Sequence, residues 1–203
     1  METEDQQVQR IKDFWHEHGK GIIAGLVIGF GLFYGWRYYD AHTMAQKEAA
    51  SEQFESLVAS LEAGTEGAQV DAQNFIKNNS DDTYAHLTAF ELARQAVAAG
   101  ELATAVTALQ AVRDNASGEL QAVADVRQAR VLLAQEQHDA ALNAIAETSE
   151  EGFAAMVAEL RGDILLAKGD QAGARAAYQA AIDASENTAP LAEIKLNSIP
   201  AES

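Results

Sequence analysis

One stretch of the sequence decides how the chain is organised: Gly21-Ile-Ile-Ala-Gly-Leu-Val-Ile-Gly-Phe-Gly-Leu-Phe-Tyr-Gly-Trp36. Its 16 residues carry no charge and are bounded by Lys20 and Arg37. When the aromatic run is followed to Tyr39, the segment would extend roughly 28 Å as an α-helix. The hydrocarbon core of a bilayer is about 30 Å thick. The stretch therefore predicts a single transmembrane helix over residues 21–39.

Two other structures could contain an apolar stretch of this length, a buried core helix and a cleaved secretory signal. A core helix usually keeps a polar face, whereas this stretch has none from Gly21 to Tyr34. A signal has a short basic leader and a cleavage site of small residues. Here the leader contains five acidic residues, and bulky Trp36-Arg-Tyr-Tyr39 follows the apolar stretch. Aromatic residues also flank the stretch on both sides, as at membrane–water interfaces. These features favour an uncleaved anchor.

The residues before the span, 1–20, are predicted to form a short amphipathic segment in the cytoplasm. Its apolar side chains repeat at helical intervals and include Val8, Ile11, Phe14 and Trp15. Three basic residues precede the span, and two follow it closely. Since positively charged flanks tend to stay in the cytoplasm, this difference weakly favours a cytoplasmic N-terminus and leaves the opposite orientation open.

Glycines recur every four residues in the first part of the span, at Gly21, Gly25 and Gly29. In lipid, small residues at this spacing allow a second helix to approach closely. Glycine is also frequent in membrane helices that make no such contact. The three glycines are therefore the candidate partner face of the membrane helix.

The region after the span is strongly acidic. Residues 38–203 carry 10 basic and 26 acidic side chains, a net charge of −16, and the whole chain has a net charge of −17. Such a surface repels nucleic acid and anionic lipid headgroups, so we expect no nucleic acid among the partners. The chain also lacks cysteine, which excludes thiol catalysis, thiolate metal sites and disulfides.

Small residues repeat along the acidic region with a period close to the roughly 34 residues of the tetratricopeptide repeat (TPR). Four alanines assigned to second helices are separated by 33, 36 and 33 residues, and each is followed four positions later by a large side chain. Three further small residues, assigned to first helices, lie twelve positions before the last three alanines. Together, these repeat-packing positions are Ala72, Ala93, Ala105, Ala129, Ala141, Gly162 and Ala174.

The repeat predicts an all-α fold, in which the N-terminal transmembrane helix is followed by a divergent TPR-like α-solenoid over residues 40–198 and a tail over 199–203. An ordinary helical bundle is the alternative, because the Trp and Tyr typical of the first TPR helix and the Pro that separates repeats are absent. The helices expected from periodicity and turn residues are Tyr84–Ala99, Leu102–Arg113, Ser117–Gln135, His138–Ala146, Phe153–Lys168, Ala172–Ala184 and a last one from Pro190.

Local signals add detail at two helix starts. Asp82 is a predicted N-cap, and Thr148-Ser-Glu-Glu151 resembles a capping box. Asp82 and His86 are four residues apart and could share a metal ion, but an N-cap followed by a surface histidine is the preferred interpretation. Neither a nucleophile elbow nor a phosphate-binding glycine loop is present. We therefore predict no enzyme, no cofactor and no metal site, and interpret the chain as a binding module.

Residues 14–39 carry the most specific resemblance to a known family. Phe14-Trp15 is followed by Gly19-Lys-Gly-Ile-Ile-Ala-Gly-Leu-Val-Ile-Gly29, by Trp36-Arg-Tyr-Tyr39, and then by a divergent TPR-like domain. In these features the whole chain resembles the YfgM family, the ancillary subunits of the SecYEG translocon in Gram-negative bacteria. The resemblance implies a single-span inner-membrane protein with a periplasmic TPR domain. It further implies association with SecYEG and with the membrane-anchored periplasmic chaperone PpiD.

The resemblance favours a membrane-anchored TPR adaptor that helps pass newly translocated proteins to periplasmic chaperones, with unfolded clients as further partners. Two other interpretations remain open. One is a stand-alone periplasmic holdase chaperone. The other is a cytoplasm-facing scaffold for a regulator, which requires the opposite orientation. A metal-dependent hydrolase is the least favoured, because it would need a tightly bound ion.

Overall fold

The computed structural model describes residues 4–185 and 190–200, and every regular element in these ranges is helical. The all-α prediction is thereby confirmed. The helices are α1 (Glu4–Glu62), α2 (Ala68–Asn78), α3 (Thr83–Ala98), α4 (Leu102–Asn115), α5 (Glu119–Ala134), α6 (His138–Ala144), α7 (Ala154–Lys168), α8 (Gln171–Asp183) and α9 (Pro190–Ser198). A 3-10 turn, Glu151–Phe153, precedes α7.

Helix α1 runs without a break through residues that the sequence divides into a leader, a span and the start of the solenoid. Its interior contains glycines but no proline, and glycine weakens a helix much less than proline does. Among the helices in the described ranges, only α1 is long and apolar enough to cross a membrane, judged by length and composition. Its large apolar side chains, from Ile23 to Tyr39, are exposed. The side chains of Val8 and Ile11 lie outside the described ones.

The chain divides into two compact units, residues 1–51 and 52–203. In the second unit each helix from α2 to α9 contacts the next one along the chain. Helices two positions apart also touch, as α2 does with α4, α3 with α5 and α5 with α7. Contacts restricted to near neighbours are the mark of a repeat solenoid. The TPR-like solenoid is therefore confirmed over the ordinary bundle.

The apolar core of the second unit consists of three successive clusters. The first joins Leu61 in the last turn of α1 to α2, α3, α4 and α5, and the second joins α5, α6 and α7. The third contains Ala174, Tyr178 and Ile199, with Leu165 and Leu196 packed against it. Ile199, which the sequence places in the tail, is 4% exposed, and its carbonyl accepts a hydrogen bond from Arg175. Residues 201–203 of the predicted tail lie outside the described ranges.

The turns between helices use the left-handed backbone conformation at equivalent positions. Gly100 and Gly169 precede α4 and α8 with φ of 77° and 91°. Glu136 stands at the equivalent position before α6 and has φ of 60°. A side chain in this conformation costs energy that glycine does not incur. The turn before α6 therefore keeps the shape of the repeat with a less suitable residue.

Two predicted helix starts have different outcomes. The Asp82 prediction is confirmed, because its carboxylate accepts a hydrogen bond of 2.7 Å from the backbone N–H of Tyr84. The capping box is wrong, because the Thr148 hydroxyl donates instead to Asp125 of α5 at 2.9 Å. Glu150, which precedes the 3-10 turn, makes no side-chain cap either. Thr148 thus makes a tertiary contact, which local sequence does not reveal.

Candidate partner-binding surfaces

The glycines of the predicted partner face lie on the exposed surface of α1. A Cβ atom built at Gly21, Gly25 or Gly29 would meet nothing within 4 Å. Gly25 and Gly29 lie together in a shallow groove whose other lining residues are Ile22, Leu26, Phe30 and Phe33. Gly21 is not part of this groove. The structure therefore brings two of the three glycines together between large apolar side chains, where a second helix could pack closely.

The repeat-packing positions have the opposite surroundings. The structure buries all seven, namely Ala72, Ala93, Ala105, Ala129, Ala141, Gly162 and Ala174. Gly162 leaves no room for a side chain, since a Cβ atom there would lie 2.5 Å from the ring of Tyr178. In the two preceding repeats, Ala93 and Ala129 stand at the position of Gly162, and Leu109 and Ile145 stand at the position of Tyr178. A smaller residue on α7 thus accompanies a larger one on α8.

A buried polar network joins α4, α5 and the loop after α6. Arg113 donates to Asp125 at 2.5 Å, to Gln128 at 2.7 Å and to the carbonyl of Ala144 at 3.1 Å. Asp125 also accepts from Thr148, and Gln128 donates to the carbonyl of Val106. Asp125 and Gln128 are 3% and 2% exposed. Because each buried charge is paired and hydrogen-bonded within the chain, this network serves to connect helices.

A second polar cluster attaches α9 to α7 and α8. Lys195 donates to Glu159 at 2.7 Å and to Asp163 at 2.8 Å, and the Tyr178 hydroxyl donates to Asp163 at 2.8 Å. Burial raises the pKa of Tyr178, and the hydrogen bond to Asp163 adds to the increase. Burial by itself would lower the pKa of Lys195, but its two carboxylate partners outweigh that effect and raise it. The cluster is therefore held together by a protonated lysine and a protonated tyrosine.

The pair considered for metal binding has a structural role. Asp82 caps α3, while Nε2 of His86 lies 2.8 Å from the carbonyl oxygen of Ser80. His86 is only 7% exposed, so the expectation of a surface histidine is wrong. His138 is half-buried at the start of α6. Within residues 4–185 and 190–200, no group of three His, Asp or Glu side chains could hold a metal ion.

The polar clusters escaped prediction because they depend on distant residues. Arg113 and Asp125 are twelve positions apart on different helices, and Lys195 is more than thirty positions from its partners. The one local signal was Glu159 and Asp163, two acidic residues four positions apart on α7. Like charges at this spacing disfavour a helix unless a cation lies nearby.

Comparison with known proteins places the chain in a family. A family model described as a tetratricopeptide repeat-like domain matches residues 12–201. The chain is 36% identical over 201 residues to the "Ancillary SecYEG translocon subunit" of Escherichia coli (strain K12), covering 98% of this chain and 97% of that protein. The protein of that name from Haemophilus influenzae is 31% identical, with 97% of each chain covered. The chain belongs to the family of ancillary SecYEG translocon subunits.

Membership of this ancillary-subunit family confirms the resemblance drawn from residues 14–39. The family model describes a TPR-like domain, and the names of the relatives give them a role at the translocon. This is not a known enzyme family. Among solved structures, the "MamA RS-1 ArsTM double mutant" matches with a TM-score of 0.52 and 20% identity, covering 67% of this chain and 75% of that chain. That likeness concerns the fold alone.

Proposed function

We propose that the chain is a membrane-anchored adaptor that associates with the SecYEG translocon and helps pass newly translocated proteins to periplasmic chaperones. The observation that carries the proposal is the 36% identity over 98% of the chain to an ancillary SecYEG translocon subunit. Since the alignment extends over nearly the whole chain, it includes the apolar helix as well as the solenoid. The membrane-anchored chaperone PpiD is a proposed partner, and unfolded clients are further ones.

In this proposal the groove around Gly25 and Gly29 packs against a helix of the translocon. Lipid is as apolar as the groove, so helices associate in it through close packing. A groove floored by glycines permits that packing, because backbone atoms of the partner can approach. The solenoid then offers its surface to chaperones or clients near the exit of the channel. The residues that carry the function are thus packing residues.

The proposed orientation places the N-terminus in the cytoplasm and the solenoid in the periplasm. The absence of cysteine makes a direct test simple. We would introduce Ser117→Cys in the exposed loop before α5, or Gln9→Cys at an exposed position before the span. Spheroplasts treated with a membrane-impermeant maleimide should label Cys at position 117 and leave position 9 unlabelled until lysis. The reverse pattern would reject the adaptor and favour a cytoplasm-facing scaffold for a regulator.

Association with the translocon is tested by co-purification from mild detergent. Gly25→Leu with Gly29→Leu fills the groove, whereas Gly35→Leu adds the same side chain to α1 outside it. We expect the double variant to lose most of the co-purified SecYEG and the Gly35→Leu variant to retain it. Equal recovery with both variants would show that the groove is not the contact. Absence of SecYEG from the wild-type sample would reject the proposed function itself.

A further inference from the structure

A second groove, of about 320 Å³, lies in the solenoid between α3 and α5. Its apolar lining includes Phe90 and Val131, which are 9% and 8% exposed, and Val97, which is 45% exposed. The guanidinium groups of Arg127 and Arg130 belong to the same lining. The groove therefore combines a mostly buried apolar floor with exposed positive charge.

The two arginines on α5 differ from their neighbour Arg94. Arg94 forms ion pairs with Glu91 at 2.6 Å and with Glu62 at 3.3 Å. In contrast, no carboxylate of the described residues forms an ion pair with Arg127 or Arg130. The two arginines are among only 10 basic side chains in residues 38–203, which contain 26 acidic ones. Both guanidinium groups retain free N–H donors.

The guanidinium group of Arg127 is also oriented. Its central carbon lies 4.8 Å from the centroid of the Phe90 ring, in a cation–π contact. Stacking on a ring occupies the face of the guanidinium and leaves its edge, with the N–H donors, available. That edge matches the two oxygens of a carboxylate in a bidentate hydrogen-bonded pair. The groove thus holds a carboxylate-binding group beside an apolar surface.

We propose that this groove binds a partner protein segment in which carboxylates alternate with apolar side chains. The arginines would pair with the carboxylates, and Phe90, Val97 and Val131 would receive the apolar side chains. A membrane surface or a nucleic acid is a poorer occupant, because it would bring extended negative charge against the acidic solenoid. A short segment touches only the groove, and charges beyond about 8 Å are screened at physiological ionic strength.

This inference rests on the proposed function, because it names the surface with which the adaptor would hold a chaperone or client. It is tested by fluorescence anisotropy on the full chain in detergent. The probe is a fluorescein-labelled peptide that alternates leucine and glutamate, and a glutamine version of it lacks the charges. The wild-type chain should bind the glutamate peptide at least about tenfold more tightly than the glutamine peptide.

Arg127→Gln with Arg130→Gln should weaken binding of the glutamate peptide by about tenfold or more. The matched control, Lys47→Gln with Arg161→Gln, removes the same charge at exposed positions outside the groove and should leave binding within about twofold. Val97→Glu provides an independent variant, since its added carboxylate should repel the probe at an exposed position. Helix content by circular dichroism verifies that each variant is folded.

Equal losses in the arginine variant and its control would overturn the proposal, as would equal binding of the two peptides. Light scattering identifies a competing occupant. If wild type is an oligomer and Arg127→Gln with Arg130→Gln makes it monomeric, the groove binds a second copy and the proposal is wrong. Co-purification of SecYEG is a separate measurement. Absence of SecYEG from the wild-type sample would reject the translocon association, and the peptide result would still decide whether the solenoid groove binds acidic segments.

Discussion

Small residues recur at regular intervals in two regions of this chain, and their surroundings are opposite. In α1, Gly25 and Gly29 are exposed between large apolar side chains that are exposed as well. In the solenoid, Ala105 and Ala141 are fully buried, and Gly162 lies against the ring of Tyr178. Regularly spaced small residues therefore leave room for a partner helix in the first region and allow the chain's own helices to pack closely in the second.

The contrast extends to the polar groups. The solenoid buries the pair Arg113 and Asp125, with side chains that are 19% and 4% exposed, whereas the apolar stretch from Gly21 to Trp36 has no charge to bury. A buried ion pair stabilises a fold only when both partners are present. The stability of the solenoid should thus depend on a few buried polar side chains. Single substitutions in the exposed part of α1 should change stability much less. The following measurements break or sharpen this comparison.

The largest expected effect comes from Asp125→Ala. Removing the carboxylate leaves Arg113 buried without its charge partner and the Thr148 hydroxyl without its acceptor. We expect a loss of about 3 kcal/mol, which corresponds to a fall of roughly 6–12 °C in the melting temperature of a domain of this size. Thermal unfolding followed by circular dichroism measures it. Glu48→Ala, at an exposed position in α1, is the control and should leave the melting temperature unchanged.

A smaller loss of stability is expected from replacing glycine with alanine, a change that can be made separately in each region. Gly162→Ala places a methyl group 2.5 Å from the Tyr178 ring and should cost about 2 kcal/mol through overpacking. Gly25→Ala meets nothing within 4 Å and should cost far less. Hydrogen exchange measured by mass spectrometry should show faster exchange in α7 and α8 for Gly162→Ala only. Similar behaviour of the two variants would remove the distinction between the regions.

The compensation between α7 and α8 can be tested with the same variant. Tyr178→Leu should also destabilise, because it leaves a cavity and removes the hydrogen bond to Asp163. Combined with Gly162→Ala, it recreates the Ala93 and Leu109 pair of an earlier repeat. The double variant should be more stable than the sum of the single losses. Strict additivity would mean that the two positions are not coupled.

The attachment of α9 should also depend on pH. The pKa values of Lys195 and Tyr178 are raised in the folded chain above their ordinary values of 10.5 and 10.0. Groups with raised pKa contribute stability that is fully present below the ordinary value and is lost as pH rises through the folded value. The attachment of α9 should therefore weaken above about pH 10. Lys195→Met should reduce the loss of stability at high pH. Lys168→Met removes an exposed ion pair with Asp139 and should leave that loss unchanged.

The smallest expected effect is an increase in stability. Glu136→Gly places glycine in the left-handed conformation that Gly100 and Gly169 adopt in the equivalent turns. The relief of strain should exceed the entropy cost of glycine, with a net stabilisation of about 0.5 kcal/mol. Urea denaturation measures the change, and Gly100→Ala should shift the midpoint in the opposite direction. A loss of stability in Glu136→Gly would show that the glutamate side chain contributes more than its strained backbone costs.

Much of the fold could be predicted because its signals are local. Apolar periodicity and turn glycines placed Tyr84–Ala99 and Ala172–Ala184 within one residue of the observed helices Thr83–Ala98 and Gln171–Asp183. The buried state of His86 and the partner of Thr148 could not be predicted, because they depend on which helices pack together. The groove beside Arg127 was missed for the same reason, since it needs the register of neighbouring helices.

Photocrosslinking in living cells tests most directly whether the α1 groove contacts the translocon. A photoreactive amino acid would replace Leu26, which lines the groove and is 55% exposed, or Leu32, which is 71% exposed and lies outside it. If the groove packs against the translocon, irradiation should join position 26 to a SecYEG subunit, and position 32 should give little product. Equal crosslinking from both positions, or crosslinking from position 32 alone, would contradict the role given to the groove.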